Sequence, residues 1–106
     1  MSTEPDIVRS FTYQQLKEYT GQRFEVRFED GSLDLTLETV SLLMEKHVSP
    51  QMHRDAFSLH FRGPRELMLK QGTYAIWHET LGGPLPIFIV PLAPDSRGYI
   101  YEAIFN

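Results

Sequence analysis

The chain has 106 residues, 42% hydrophobic and 23% charged, with a net charge of −4; that length suits one domain able to bury a core without staples. It contains no cysteine, which excludes a disulfide scaffold, a thiolate zinc site and a cysteine nucleophile and fits a reducing, cytoplasmic setting. The opening MSTEPDIVRS has no apolar h-region, so no signal peptide is expected, and no apolar run reaches membrane-spanning length.

Residues 1–10 read as a flexible leader and 11–106 as a single domain. The first element is a helix beginning at Phe11 or Thr12. Thr12 and Gln15 have the spacing of a capping box. Tyr13, Leu16 and Tyr19 form an apolar stripe, and Gly21 stands where a left-handed cap is wanted. About two turns are predicted, a length that only packing can hold.

After Gly21 the period becomes two. Phe24, Val26 and Phe28 alternate with Arg23, Glu25, Arg27 and Glu29, the pattern of an antiparallel strand with one dry face. Asp30-Gly31 predicts a tight turn with positive φ angles. Leu33, Leu35 and Leu37 resume the alternation. Val40, Leu42 and Leu43 break its phase, which predicts a bulge or a new element. Residues 45–54 have no period and read as a loop. Phe57, Leu59 and Phe61 make a third strand ended by Gly63-Pro64, and TYAIWH a fourth after Gln71-Gly72. ETLGGP reads as a loop to a fifth strand, Ile87–Val90, apolar on both faces and therefore expected to be central; Pro91 limits it. Residues 99–105 form the sixth, and Phe105 continues its dry face. The sum is a mainly β fold of about six antiparallel strands in a small barrel or sandwich, with one short N-terminal helix. Phe11, Phe24, Phe28, Phe57, Phe61, Phe88 and Phe105 are all expected in the core.

The blocks RDAFSLHFRGP, LKQGTYAIWHETLG, IFIVPL and the terminal YEAIFN, in that order and spacing over roughly residues 11–106, resemble a family of small bacterial domains of unknown function. The resemblance implies a genomic setting near phage-tail-like proteins. It assigns no catalytic residue.

Few residues point to chemistry. The histidines, at 47, 53, 60 and 78, match no local ligand pair, so no metal and no cofactor is expected. His78-Glu79 beside a glycine-rich loop suggests a general base with an orienting partner. Adjacent strand residues point to opposite faces, however, so the two should not touch. The serines lack a nucleophile-elbow context. Charge is more informative. Residues 1–45 sum to −5, 46–70 to +3 and 71–106 to −2, which makes the middle segment a basic island. Overall acidity and the absence of interleaved stacking aromatics argue against nucleic acid. An acidic protein surface, or a second copy of the chain, is the expected partner, met by Arg54, Arg62 and Arg65 or by an open sheet edge. Arg62 and Arg65 are expected to be dispensable to the fold. Trp77 is out of phase with Tyr74, Ile76 and His78; it lies either on an exposed face, as a contact anchor, or beneath the helix.

These observations predict a non-enzymatic structural or assembly-accessory domain acting through protein contacts; a link to phage-tail proteins is implied by the resemblance alone. Two alternatives stand beside it. One is a small-ligand module in a barrel mouth lined by Tyr74, Trp77 or Tyr101. The other is a hydrolytic enzyme using His78 or Glu79.

Overall fold

A computed structural model describes residues 10–43 and 56–105. The helix α1 is Tyr13–Lys17, shorter than its apolar stripe suggested. Thr12 caps it, its hydroxyl accepting from the Gln15 N–H at 3.1 Å. The chain leaves through Gly21, whose φ of 89° suits glycine. Its N–H donates to the Leu37 carbonyl at 2.6 Å, and Leu37 N–H donates to Gln22 at 3.0 Å.

Six strands follow: β1 Arg23–Phe28, β2 Gly31–Leu42, β3 Phe57–Gly63, β4 Gly72–His78, β5 Gly82–Pro91 and β6 Tyr99–Phe105. They close into an antiparallel barrel in the order β1-β2-β3-β6-β5-β4. Two three-stranded meanders are thus joined by the 64–71 connection, which carries the chain from β3 to the far side, where β4 pairs with β1. A closed barrel leaves no free edge, which corrects the expectation of an open sheet edge for docking. The ladders are unequal. β2–β3 and β3–β6 pair along most of β3. β1–β4 is held at Glu25↔Trp77 and Val26↔Ile76, and β5–β6 at Val90↔Glu102 and Pro91↔Tyr101. The β4–β5 hairpin therefore closes the barrel across two short seams.

Alternation fills the interior. Phe24, Val26, Leu35, Leu37, Leu59, Phe61, Ile76, Leu85, Ile89 and Tyr101 are each at most 1% exposed. Phe11 and Leu16 join this core from the α1 end, and Leu69 from the 64–71 connection. There the buried Tyr101 hydroxyl accepts from the Leu69 N–H at 2.8 Å. Phe105 is buried as expected, stacked on Phe57 with centroids 5.0 Å apart.

Four local expectations are corrected. The first hairpin pairs Phe28 with Gly31, so its loop is Glu29-Asp30; neither Asp30 nor Gly31 has a positive φ. β5 begins at Gly82, so the connection is shorter than ETLGGP. Phe28 is 38% and Phe88 50% exposed. Phe28 keeps the inward phase but sits at the last β1 position. Phe88 faces outward, because a single-layer barrel has no second sheet to cover that side of β5. The phase break in β2 is a bulge between Leu37 and Thr39, which adds Glu38 on the outside and lets β2 run on to Leu42.

The outer surface is divided. The outward positions of β1 to β3 include Arg23, Glu25, Arg27, Asp34, His60 and Arg62. Those of β4 to β6 are Thr73, Ala75, Trp77, Pro86, Phe88, Val90, Ile100, Glu102 and Ile104, with one charge among them.

Candidate functional site

A recess of about 680 Å³ opens on the outside of the barrel, over the β1–β4 seam. Gln22, Arg23, Glu25 and Arg27 form one wall, and Trp77, His78, Glu79 and Gly82 the other. Strand alternation puts Arg23, Glu25 and Arg27 outward together, and the β1–β4 register sets Glu25 opposite Trp77. A bulge between Ile76 and His78 inserts Gly83 and Pro84 on β5 opposite Trp77. The indole lies so close to Gly83 that a Cβ there would sit 2.8 Å from its Cδ2 and 2.9 Å from the Ile76 carbonyl. The Arg27 guanidinium lies over the ring, 4.0 Å from its centroid. Trp77 is thus half-buried on the outer face, not beneath α1. Arg27 Nε also donates to Glu25 at 2.7 Å, and this bond holds the Glu25 carboxyl below its usual range. Arg23 is more loosely held, 3.5 Å from Asp34. The site is an indole with one guanidinium stacked on it and a second nearby, the two paired with the carboxylates of Glu25 and Asp34.

His78 borders this recess but belongs to the interior, 6% exposed. Its Nδ1 accepts from the backbone N–H groups of Thr80 at 3.0 Å and Leu81 at 3.2 Å. Two donors at one nitrogen require a lone pair there. The proton is therefore on Nε2, which donates to Gln22 Oε1 at 2.6 Å. Tyr19 meets the ring edge-on at 4.8 Å and Phe24 lies at 4.7 Å. Burial lowers its pKa, opposed by the charge of Glu79. Nδ1 thus holds the β4–β5 turn and Nε2 ties it to Gln22 ahead of β1, while Glu79 is exposed. A general base needs a lone pair directed at substrate, and this imidazole has none free.

Arg54, like His47 and His53, lies outside the described residues. Arg62 is on the outside of β3, yet its side chain is only 12% exposed. Nε and Nη2 donate to the two Glu38 oxygens at 3.2 and 3.1 Å. Nη1 donates to Asp95 and, at 3.3 Å, to the Gly98 carbonyl. The Glu38 bond raises the Arg62 pKa, and the Arg62 bond lowers that of Asp95. Arg62 therefore ties the 92–98 loop to the bulge in β2, and no donor fork is left for a partner. Arg62, expected as a docking residue dispensable to the fold, is held within the chain by these bonds. Arg65 is exposed on the 64–71 connection, with no ion pair among the described residues. His60 Nε2 lies 3.0 Å from Glu102. No cluster of three metal-ligating side chains occurs among the described residues.

The barrel mouths are covered, one by α1 with Phe11 and Leu16, the other by the 64–71 connection with Leu69. Tyr101 is a core residue, and Tyr74 donates its hydroxyl proton to the Lys70 carbonyl at 2.7 Å. Sequence reasoning named Trp77 but missed Arg27 and Arg23. Their alternation marked them as outward; the β1–β4 closure that sets them beside Trp77 has no local signal.

The fold and the recess define a closed six-stranded antiparallel barrel with a filled interior and an aromatic–arginine patch on its outside. Residues 11–105 match the family model described as a domain of unknown function, DUF6916, and the chain belongs to that family. No curated protein and no solved structure matches it.

Proposed function

We propose that this is a non-enzymatic protein-contact domain, an assembly accessory that receives a partner on the outside of the barrel at the Trp77–Arg27 recess. The observation that carries the reading is the position of Trp77, half-buried and braced by Arg27 and Gly83. Tryptophan and arginine dominate contact energetics when held rigid in a partly desolvated hollow. The filled interior and the fully engaged His78 support a surface role over a barrel-mouth ligand or a hydrolytic centre. The recess is open and half of its lining residues are charged, unlike the mostly apolar enclosures that bury a small ligand. Arg23 and Arg27 fit a partner segment that presents carboxylates beside an aromatic or aliphatic side chain. Arg65, exposed on the 64–71 connection, is a second candidate contact residue outside the recess. A role beside phage-tail-like proteins is the setting that the family resemblance implies.

The test is affinity capture from the native host with the full chain, comparing wild type with Trp77→Ala and Arg27→Ala. Partners specific to wild type should be lost from both variants, and their retention should fall as salt screens the guanidinium contacts. Binding should also alter tryptophan fluorescence, since Trp77 is the single tryptophan. Variants that melt like wild type yet retain the same partners would refute the assignment.

A further inference from the structure

His78 touches both walls of the recess. On the β1 wall its Nε2 donates to Gln22 Oε1 at 2.6 Å. On the other, its Nδ1 accepts from the Thr80 and Leu81 N–H groups at 3.0 and 3.2 Å, inside the turn between β4 and β5. That turn is bounded by Glu79 and Gly82, which line the recess, and Gly82 pairs with His78 itself. The β1–β4 ladder consists of Glu25↔Trp77 and Val26↔Ile76, so at this end of the seam the imidazole joins walls that the ladder does not reach. Gly83, next in the chain, packs so tightly on the Trp77 indole that a Cβ there would lie 2.8 Å from Cδ2. The position of the turn therefore sets what lies against the indole.

We propose that His78 is a proton-operated clip: its neutral imidazole holds the β4–β5 turn, and a proton on Nδ1 releases that turn, shifts Gly82 and Gly83 against Trp77 and so weakens partner binding in the recess. The loss of binding, though not the movement of the turn, rests on the recess being the contact site. The neutral ring has one lone pair, and both backbone donors converge on it. In the imidazolium both nitrogens carry protons, so Nδ1–H would face two N–H groups with no acceptor between them. Nε2–H can still donate to Gln22, so the release falls on the turn. The Gln22 amide, the Phe24 ring and the two backbone N–H groups around the imidazole are neutral. The titratable or charged groups near it are Tyr19, edge-on from the α1 exit, Glu79 on its own turn, and Arg23, Glu25 and Arg27 of the shared recess. Arg27 is bonded to Glu25, and Arg23 lies 3.5 Å from Asp34. Burial lowers the His78 pKa and Glu79 opposes that shift. The clip thus opens on the acid side of the ordinary histidine value of about 6.5.

The experiment follows amide and indole resonances of the full wild-type chain from about pH 7.5 to about pH 4.5, an interval that spans histidine and stops near the carboxylates. The Thr80 and Leu81 amides and the Trp77 indole N–H should shift together, with one midpoint below about 6.5. The Leu69 amide, bonded to Tyr101 at the other end of the barrel, should stay unmoved. Trp77 is the single tryptophan, so its quenching by acrylamide should change over the same interval. In His78→Asn, whose carbonyl oxygen can accept the same N–H groups without titrating, the indole response should vanish. An indole that does not move with Thr80 and Leu81 would overturn the proposal. So would a response that persists in His78→Asn, or unfolding of the whole wild-type chain with no local change before it. Where His78→Asn fails to fold, the wild-type titration decides alone. The two readings fail separately: partners retained by Trp77→Ala would remove the contact site with the titration intact, and an indole blind to pH would remove the clip with the contact site intact.

Discussion

Arg62 on β3 and Glu38 in the bulge of β2 meet through two parallel hydrogen bonds, Nε to Oε2 at 3.2 Å and Nη2 to Oε1 at 3.1 Å. The pair is partly shielded and extends through Asp95 to the 92–98 loop. It therefore differs from an exposed surface pair of little worth. Reversing Arg62 to Glu would set it against Glu38 and Asp95. Arg62→Glu should destabilise the domain by about 1.5–3 kcal/mol, the range for hydrogen bonds to charged groups. Arg65→Glu, on an exposed connection, should change stability by less than about 0.5 kcal/mol. Thermal melts of the two single variants check this; equal midpoints would show that the Arg62 network contributes nothing.

The His78 network predicts acid sensitivity. The imidazole is held neutral, because its Nδ1 faces the two N–H groups of Thr80 and Leu81. Burial lowers its folded pKa, while the unfolded side chain titrates near its ordinary value of about 6.5. The unfolded state then binds the proton more readily. Stability from this group is complete above about pH 6.5 and is lost as pH falls below it. The Gln22 amide, the Tyr19 and Phe24 rings and the exposed Glu79 are what the imidazole faces; only Glu79 is charged, and it offsets part of the shift. Urea midpoints at about pH 7.5 and 5.5 should differ more for wild type than for His78→Asn, whose carbonyl oxygen can accept the same N–H groups without titrating. An equal difference in both proteins would show that His78 is not the sensor.

What the sequence revealed and what it concealed follow from range. Period-two alternation marks one face of each strand, so Phe24, Leu35, Phe61 and Phe105 were legible as core. The same alternation cannot say whether a second layer covers the other face. That is why Phe88 read as buried and proved half exposed. Trp77 was legible as out of phase, but its neighbour Arg27 depends on a barrel closure between strands some fifty residues apart, and Gly83 on a bulge in the β4–β5 hairpin. Arg62 read as a free cation because Glu38 and Asp95 reach it only through a bulge and a loop whose geometry no local pattern prints.

Phe105 tests how far the last strand belongs to the core. It is 3% exposed, lies parallel to Phe57 at 5.0 Å, and tilts against Phe11 at 6.5 Å. Truncation to alanine removes a ring that both neighbours pack on. Phe105→Ala should cost about 3–5 kcal/mol, the range for buried aromatics. A midpoint within a degree or two of wild type would place the C-terminal strand outside the cooperative unit.

The Tyr101 hydroxyl tests whether the 64–71 connection is clamped to the barrel or merely lies on it. The ring is fully buried, and burial raises the phenol pKa above its ordinary value. Its oxygen is the acceptor for the Leu69 N–H at 2.8 Å. Tyr101→Phe keeps the ring in place and removes that oxygen, leaving a buried donor unsatisfied at a cost of about 1–3 kcal/mol. The loss is local, so it should appear first as faster amide exchange at Leu69, ahead of β2 and β3 amides whose ladders are long. Global stability falls by no more than the same amount. Unchanged Leu69 protection in Tyr101→Phe would mean that Leu69 packing alone holds the connection over the barrel end.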